Sequence, residues 1–179
     1  VGAAHPKLLS FSKLFRDNGW RCISIEPNPH FVNQHKELGN EIYEYACADY
    51  TQDAADFQIV NTWDENSDLT YESFSSIKIK QGYIDKHYQP DYTNIKVNIR
   101  TLDLVLEEAK LDQNIDILII DTEGWELEVM RGFNHIKYNP KVVILENYLH
   151  DDLYNQYMES IGYILDRKVE YNYIYIKSN

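Results

Sequence analysis

The sequence has few basic residues, few cysteines and no long apolar run, and each scarcity excludes a class of protein. Its 179 residues contain 17 Lys and Arg against 29 Asp and Glu, a formal net charge of −12. Non-specific affinity for nucleic acid comes from Lys and Arg that neutralise phosphates, so this balance argues against a nucleic-acid partner. No apolar run approaches the ~20 residues of a membrane span, and no signal peptide is recognisable. We therefore expect a cytoplasmic protein with no membrane partner.

The two cysteines are Cys22 and Cys47, which fall near opposite ends of two strands predicted to be neighbours. At ~3.3 Å per residue, they would be farther apart than the ~7 Å between Cα atoms that a disulfide spans. We expect both thiols to be free and to act as small apolar groups, as in a reducing compartment. The chain length fits one domain over residues 1–179.

Helices and strands alternate at the start of the chain. Gly19 and Gly39 are typical residues at which helices stop, and Asn28 followed by Pro29 is a typical start. The predicted order is helix, strand, helix and strand, over residues 8–15, 20–27, 28–38 and 42–48. This repeat is typical of a parallel sheet with right-handed crossovers, so the predicted fold class is α/β.

The alternation is interrupted between Thr51 and Arg100. Short strands are predicted over residues 55–60, 76–79 and 95–99. The segment of about residues 61–94 is predicted to form an insertion over the sheet edge. Long connections often carry substrate contacts. The aromatic residues of this region are therefore either a substrate-facing wall or ordinary packing: Trp63, Tyr71, Tyr83, His87, Tyr88 and Tyr92.

The most informative stretch covers residues 115–133. It begins with a run of Ile and Leu that is typical of a buried parallel strand, and this strand ends at Asp121. Glu123 lies in the turn that follows, and a helix with Trp125 and Val129 on its apolar face comes next. Ligands of open α/β sheets bind beyond the carboxyl ends of the strands, so we expect a site here. The alternative is that both acids only cap the helix.

The remaining elements extend this pattern to the end of the chain. Thr101 is predicted to cap a helix over residues 102–111, and a second buried strand, residues 140–145, ends at Glu146 and Asn147. A helix over residues 151–161 precedes two strands, residues 163–166 and 171–177, which read as a hairpin joined by residues 167–170.

Two further residues indicate a nucleotide or adenosyl site near the start of the chain. Gly2 stands in a turn before the first helix, where backbone and ligand must approach closely. Glu26 ends a strand 24 residues later, close to the ~20-residue spacing at which an acid takes ribose hydroxyls in dinucleotide-binding units. The alternatives are that Gly2 only forms a turn and that Glu26 is only a solvated acid at the end of a strand.

The block at residues 121–132, Asp-Thr-Glu-Gly-Trp-Glu-Leu-Glu-Val-Met-Arg-Gly, resembles the FkbM-type S-adenosylmethionine-dependent methyltransferases. Thr-Leu-Asp at 101–103 and Ile-Glu-Pro-Asn-Pro at 25–29 extend the resemblance along nearly the whole chain. It implies a class I methyltransferase fold, with a mostly parallel, Rossmann-like, seven-stranded sheet and an antiparallel C-terminal hairpin. It also implies O-methylation of a hydroxyl on a small molecule or sugar. The chain begins where the first strand of that sheet would end, so we expect that strand to be truncated.

Carried over by position, the resemblance assigns Gly2 and Ala3 to the methionine-side loop and Glu26 to the ribose. Asn28 would lie near the adenosine, and Asp121 would face the sulfonium. Ala48 and Asp49 would contact the adenine. Ala4 and Pro6 stand where the family usually has Asn and a second Gly.

The chemistry expected at the strand ends is removal of a proton from the acceptor hydroxyl. Candidate catalytic residues are Asp121, Glu123 and Glu146, with His150 and His87 as other possible bases. Asp121, Glu146 and Asn147 would also suit a hard cation such as Mg²⁺. An NAD-linked oxidoreductase and a non-catalytic adenosyl-binding module stay open, as does assembly into a homo-oligomer.

Overall fold

A computed structural model describes residues 1–61, 75–80, 91–112 and 114–178. The helices in this part of the chain are α1 (Phe11–Asp17), α2 (Pro29–Glu37), α3 (Leu102–Glu108), α4 (Glu126–Arg131), α5 (His135–Tyr138) and α6 (Leu153–Ser160). The strands are β1 (Ser24–Ile25), β2 (Ile42–Tyr43), β3 (Ala46–Cys47), β4 (Gln52–Val60), β5 (Tyr92–Arg100), β6 (Ile117–Ile120), β7 (Val142–Glu146), β8 (Tyr163–Val169) and β9 (Asn172–Lys177). This mixture confirms the α/β class.

The largest sheet has four strands in the order β6-β7-β9-β8. β6 and β7 are parallel, and the antiparallel pair β8 and β9 joins them through β9. Val143, Leu145 and Tyr175 in this sheet are fully buried, as expected for strands with apolar residues on both faces. The terminal hairpin is present, but β8 continues to Val169, so residues 167–169 belong to the strand and the turn is at Glu170, whose φ is 53°.

The first residues of the chain lie between β6 and the two-stranded parallel sheet of β1 and β2. The Val1 amino group donates a hydrogen bond to Ile119 O at 2.8 Å, and Asp121 N donates to Val1 O at 3.1 Å. On the other side, the N–H groups of Gly2 and Ala3 both donate to Ile25 O, at 3.0 and 3.1 Å. The order across the molecule is therefore β2-β1, residues 1–3, and then β6-β7-β9-β8.

The third sheet has the order β3-β5-β4, with β4 and β5 antiparallel over most of their length. The two short strands predicted on either side of the insertion are thus one long ribbon, and Ser76 adds only an isolated bridge to Gln58. The strand predicted over residues 42–48 is divided, because β2 pairs with β1 whereas β3 pairs with β5. The prediction failed here because a single run of residues changes from one sheet to another.

The helix caps follow the sequence. The Asn28 side chain accepts a hydrogen bond from His30 N at 3.0 Å, and the Thr101 hydroxyl accepts one from Leu104 N at 3.4 Å. α3 forms within the predicted range of residues 102–111, and it buries Leu102, Val105 and Leu106. The first helix begins at Phe11 and not at Leu8 as predicted. None of its residues is buried, and the side chains of Leu8, Leu9 and Leu14 are exposed.

Both cysteines are free, with Cys47 buried and Cys22 half-buried. Within the described ranges, no helix combines the length and the apolarity that a membrane crossing requires. Tyr92 begins β5 and is exposed. The other aromatic residues of the predicted wall lie outside the described residues: Trp63, Tyr71, Tyr83, His87 and Tyr88.

Candidate active site

A cavity of about 530 Å³ opens where β1, β6 and β7 end. Its lining includes polar groups from the start of the chain and from the strand ends, among them Gly2, Ala3, Glu26, Asp121, Glu123 and Glu146. The cavity also extends between β1 and β6, where Ile23, Ile25, Ile117 and Ile119 make the lining apolar. The residues predicted from two distant parts of the sequence therefore share one cavity.

The turn after β6 has an unusual backbone. Glu123 and Gly124 both have positive φ, 57° and 92°, so the chain makes a left-handed turn before α4 begins. The left-handed region suits Gly, whereas a non-Gly residue there is sterically strained and needs support from its surroundings. This turn places the Glu123 side chain in the cavity rather than along the helix.

Glu126, the first residue of α4, holds this turn. Its Oε1 accepts hydrogen bonds from Thr122 N at 2.8 Å, Gly124 N at 3.0 Å and the Thr122 hydroxyl at 3.2 Å. Its Oε2 accepts one from the hydroxyl of Tyr154, on α6, at 2.6 Å. The carboxylate is completely buried, and both of its oxygens already accept hydrogen bonds from the turn or from α6. Its role is therefore to position the residues around it.

The sequence analysis gave Glu126 no role. An acid in the first turn of a helix is commonly an exposed partner of the helix dipole, and nothing in the spacing separates the two cases. The sequence did contain one signal for this role. Glu126 comes four residues after Thr122 and two after Gly124, whose N–H groups precede the helix and have no partner within it.

We expect Glu126→Gln to lower the free energy of unfolding by about 1–3 kcal/mol, because the amide cannot accept at both ends and leaves buried donors unpaired. Chemical denaturation measures this. Glu128→Gln, in the same helix but partly exposed, removes the same charge and should cost less than about 1 kcal/mol. Equal losses in the two variants would contradict the positioning role of Glu126.

Three acids form a cluster at the ends of β6 and β7. The two strands are parallel, with Ile120 opposite Leu145, so the next residues, Asp121 and Glu146, are neighbours. One carboxylate oxygen from each of Asp121, Glu123 and Glu146 lies within 4.8 Å of the other two. We call these three residues the carboxylate cluster.

Asn147 is directed away from the carboxylate cluster. Its side-chain oxygen accepts from Asp151 N at 2.8 Å, and its side-chain nitrogen donates to Asp151 O at 2.9 Å. Both ends of the amide thus stabilise the loop that leads to α6. Glu123, instead of Asn147, joins Asp121 and Glu146.

The surroundings of the cluster favour protonated carboxyl groups. Desolvation, together with the charge of Glu126, raises the pKa of Asp121 to about 7, although a hydrogen bond with Glu146 partly opposes this. Desolvation and the neighbouring charges of Glu146 and Asp121 raise the pKa of Glu123 well above its usual range. The carboxylate cluster therefore retains protons more strongly than free carboxyl groups do.

This shift predicts a pH-dependent stability. Asp121 has a higher pKa in the folded protein, about 7, than its usual value of 3.8, so the folded state binds its proton more tightly. The stabilisation is complete below the lower value and is lost as the pH rises through the higher one. Between pH 4 and 7, this group lowers the free energy of unfolding by at most about 1.4 kcal/mol per pH unit.

Urea denaturation across this range, compared with Asp121→Asn, measures the effect. The variant should have a flatter stability profile, whereas Asp116→Asn, an exposed acid at the other end of β6, should retain the wild-type slope. Parallel profiles for wild type and Asp121→Asn would show that Asp121 titrates normally.

The loop at the start of the chain is fitted closely to the turn after β6. A Cβ atom on Gly2 would lie 1.6 Å from Asp121 O, and the φ of Gly2 is 71°, so only glycine fits this position. Glu26 holds the same loop: its Oε2 accepts from Ala4 N at 2.8 Å and its Oε1 from Asn28 N at 2.9 Å. Burial raises the pKa of Glu26, and these N–H groups oppose the shift.

Other predicted residues lie elsewhere. Ala48 is fully buried, and its carbonyl oxygen would lie 2.4 Å from a Cβ on Gly132, so it packs against the end of α4. Asp49 is exposed, and neither residue lines the cavity. Asn28 caps α2 beside the cavity. His150 is exposed, and its Nδ1 is hydrogen-bonded to the Tyr173 hydroxyl at 3.0 Å.

Comparison with protein families gives a match to the methyltransferase FkbM domain over residues 1–174 of this chain. The chain belongs to the FkbM methyltransferase family. The match covers both the loop with Gly2 and the turn with Asp121 and Glu123, so the family confirms the resemblance seen in the sequence. Comparisons with curated proteins and with solved structures give no match.

Proposed function

We propose that this FkbM-family protein is a class I methyltransferase that transfers a methyl group from S-adenosylmethionine to a hydroxyl oxygen. The observation that carries the proposal is the carboxylate cluster, which shares one cavity with Glu26 and the Gly2 loop. This arrangement offers a place for an adenosyl group beside groups that accept a proton. Membership of the methyltransferase family supports the reaction class.

The strand order supports the proposed sheet. With residues 1–3 counted as a strand position between β1 and β6, the order has seven positions, and only β9 runs in the direction opposite to the other strands. That is the arrangement expected for the class I fold. It places the ends of β1, β6 and the first loop together, as ligand binding at the carboxyl ends of parallel strands requires.

The residues present fit an adenosyl group. Each oxygen of a carboxylate can accept more than one hydrogen bond, so Glu26 can take two ribose hydroxyls while keeping the N–H groups of Ala4 and Asn28. Gly2 and Ala3 contribute backbone to the cavity wall next to Asp121. These residues would hold the ribose and the methionine part of the cofactor.

S-adenosylmethionine, when bound, supplies an electrophilic methyl group on a sulfonium. Methyl transfer to the acceptor oxygen would leave the cofactor as a neutral thioether and would release the hydroxyl proton. The hydroxyl proton passes to the carboxylate cluster, where Asp121, Glu123 and Glu146 are the available acceptors. A carboxyl group with a pKa of about 7, as at Asp121, suits a general base near neutral pH.

The carboxylate cluster also fits a hard divalent cation such as Mg²⁺. Oxygen ligands from Asp121, Glu123 and Glu146 match its preference, and a cation would offset the repulsion of three buried acids. In that case the ion would lower the pKa of the acceptor hydroxyl. The cation, the cytoplasmic location and a homo-oligomeric state stay predictions.

We expect the protein to bind S-adenosylhomocysteine but not NAD⁺ in isothermal titration. Glu26→Gln should weaken this binding by about 10- to 100-fold, because a charged acceptor of two hydroxyl groups is lost. The matched control is Glu44→Gln, at an exposed acid that pairs with Lys36, and it should leave binding unchanged.

The other possible results of these measurements would each count against the proposed function. Binding of NAD⁺ in place of S-adenosylhomocysteine would favour the oxidoreductase alternative. Binding of S-adenosylhomocysteine, together with no methyl transfer from S-adenosylmethionine to any hydroxyl compound, would favour the non-catalytic module. Binding of neither ligand by a folded protein would contradict the proposed function.

At a pH above 7, we expect Mg²⁺ at about ten times its Kd to raise the melting temperature of the protein by about 3–6 °C. Glu146→Gln should abolish this rise, whereas Asp152→Asn, an exposed acid before α6, should retain it. NaCl at equal ionic strength controls for screening of the net charge of −12. The same rise in Glu146→Gln would show that Mg²⁺ binds elsewhere.

A further inference from the structure

The segment of residues 75–80 contributes Ser75, Ser76 and Ile77 to the wall of the cavity that contains the carboxylate cluster. Ser76 exchanges two backbone hydrogen bonds with Gln58 of β4, at 2.8 and 3.0 Å. The indole N–H of Trp125 donates to Lys78 O at 3.1 Å, and this tryptophan comes directly after the turn that holds Glu123. The segment is thus attached to β4 on one side and to the start of α4 on the other.

Two polar atoms on this side of the cavity have no partner among the described residues. They are the hydroxyl of Ser76, which is 2% exposed, and Oε2 of Glu123, a residue that is 7% exposed. Both residues line the cavity. Most buried polar groups are hydrogen-bonded, and a buried group without a partner costs about 1–3 kcal/mol. A ligand with hydroxyl groups would satisfy both atoms.

The remaining wall on this side is apolar. Phe57 and Ile77 line the cavity together with Trp125, and they belong to one hydrophobic cluster centred on β4 and β5. Small-molecule sites typically combine such apolar walls with a few polar groups that fix the orientation of the ligand. The arrangement fits a compact ring with carbon–hydrogen groups on one face and hydroxyl groups at an edge.

The described part of the wall disfavours an anionic ring, because it offers no free cation. Among the described lining residues, the only Lys or Arg is Arg21, which is bound to Glu41 at 2.8 Å and to Ala109 O at 2.7 Å. Lys80, at the end of the segment, does not line this cavity and is paired with Glu128 at 3.2 Å. A carboxylate or phosphate on the acceptor would lose its hydration here with no unpaired Lys or Arg among the described lining residues to compensate.

We propose that Ser76 and Glu123 are the polar contacts for the methyl acceptor, and that the acceptor is a neutral polyhydroxylated ring, such as a sugar, that packs against Trp125. This inference rests on the proposed function and specifies its acceptor. Glu123 accepts a hydrogen bond from the hydroxyl that is methylated, and Ser76 binds a neighbouring hydroxyl and selects the orientation of the ring.

Saturation-transfer NMR on the full chain, with S-adenosylhomocysteine bound, tests the proposal with two probes. Methyl β-glucoside is a neutral ring with four hydroxyl groups, and glucuronate is a related ring that carries a carboxylate. In buffer without divalent cations, we expect the glucoside to bind, and glucuronate to bind at least about tenfold more weakly because its carboxylate is desolvated without a cationic partner. Ser76→Ala should weaken binding of the glucoside by about three- to tenfold, the loss of one hydrogen bond.

Ser24→Ala is the matched control. Ser24 is also a buried serine that lines the cavity and whose hydroxyl has no partner among the described residues, but it lies on β1, two positions before Glu26. The control should bind the glucoside as wild type does, and both variants should keep the wild-type affinity for S-adenosylhomocysteine, which also shows that they are folded.

Three results would overturn the proposal while the proposed function stands: no binding of the glucoside to the protein saturated with S-adenosylhomocysteine, equal binding of glucuronate, or equal losses in the two serine variants. Absence of S-adenosylhomocysteine binding would instead overturn both the acceptor site and the proposed function. The two failures are therefore distinguishable in one series of measurements.

Discussion

The buried carboxylate of Glu126 is the interaction on which the arrangement of the site depends. It receives hydrogen bonds from both sides of the turn after β6 and from Tyr154 on α6. Desolvation raises the pKa of Glu126, and the hydrogen bonds from Tyr154 and the turn oppose this rise. The turn keeps its left-handed backbone because this network satisfies its N–H groups, and that backbone directs Glu123 into the cavity.

The sheet and the cavity have a second common support in the first loop. Residues 1–3 are hydrogen-bonded to both β1 and β6, so the loop that lines the cavity also joins two parts of the molecule. Glu26 accepts an N–H of this loop, and His35, which is fully buried, is hydrogen-bonded to Ala4 O at 3.1 Å. The adenosyl side of the proposed site is therefore built on buried polar contacts, as the carboxylate side is.

Sequence patterns predicted the parts of the fold that depend on local rules. Three features could be recognised from residues that are adjacent in the sequence: the run of Ile and Leu before Asp121, the cap at Thr101 and the terminal hairpin. The exposed face of α1 and the division of residues 42–48 between two sheets were not predictable, because both depend on which elements pack together. Parallel strands brought Asp121 and Glu146 together as expected, whereas the direction of the Asn147 side chain depends on a contact with Asp151 that no spacing reveals.

The close approach of Gly2 to the carbonyl oxygen of Asp121 has a mechanical consequence. With no room between the two backbones, neither the Gly2 loop nor the turn with the acids can shift towards the other, and the hydrogen bond between Asp121 N and Val1 O resists their separation. The two walls of the cavity at this point move as one body. In the proposed site, the backbone would then fix the distance between the cofactor and the acids, and acceptors of different size would be accommodated at the wall formed by residues 75–77.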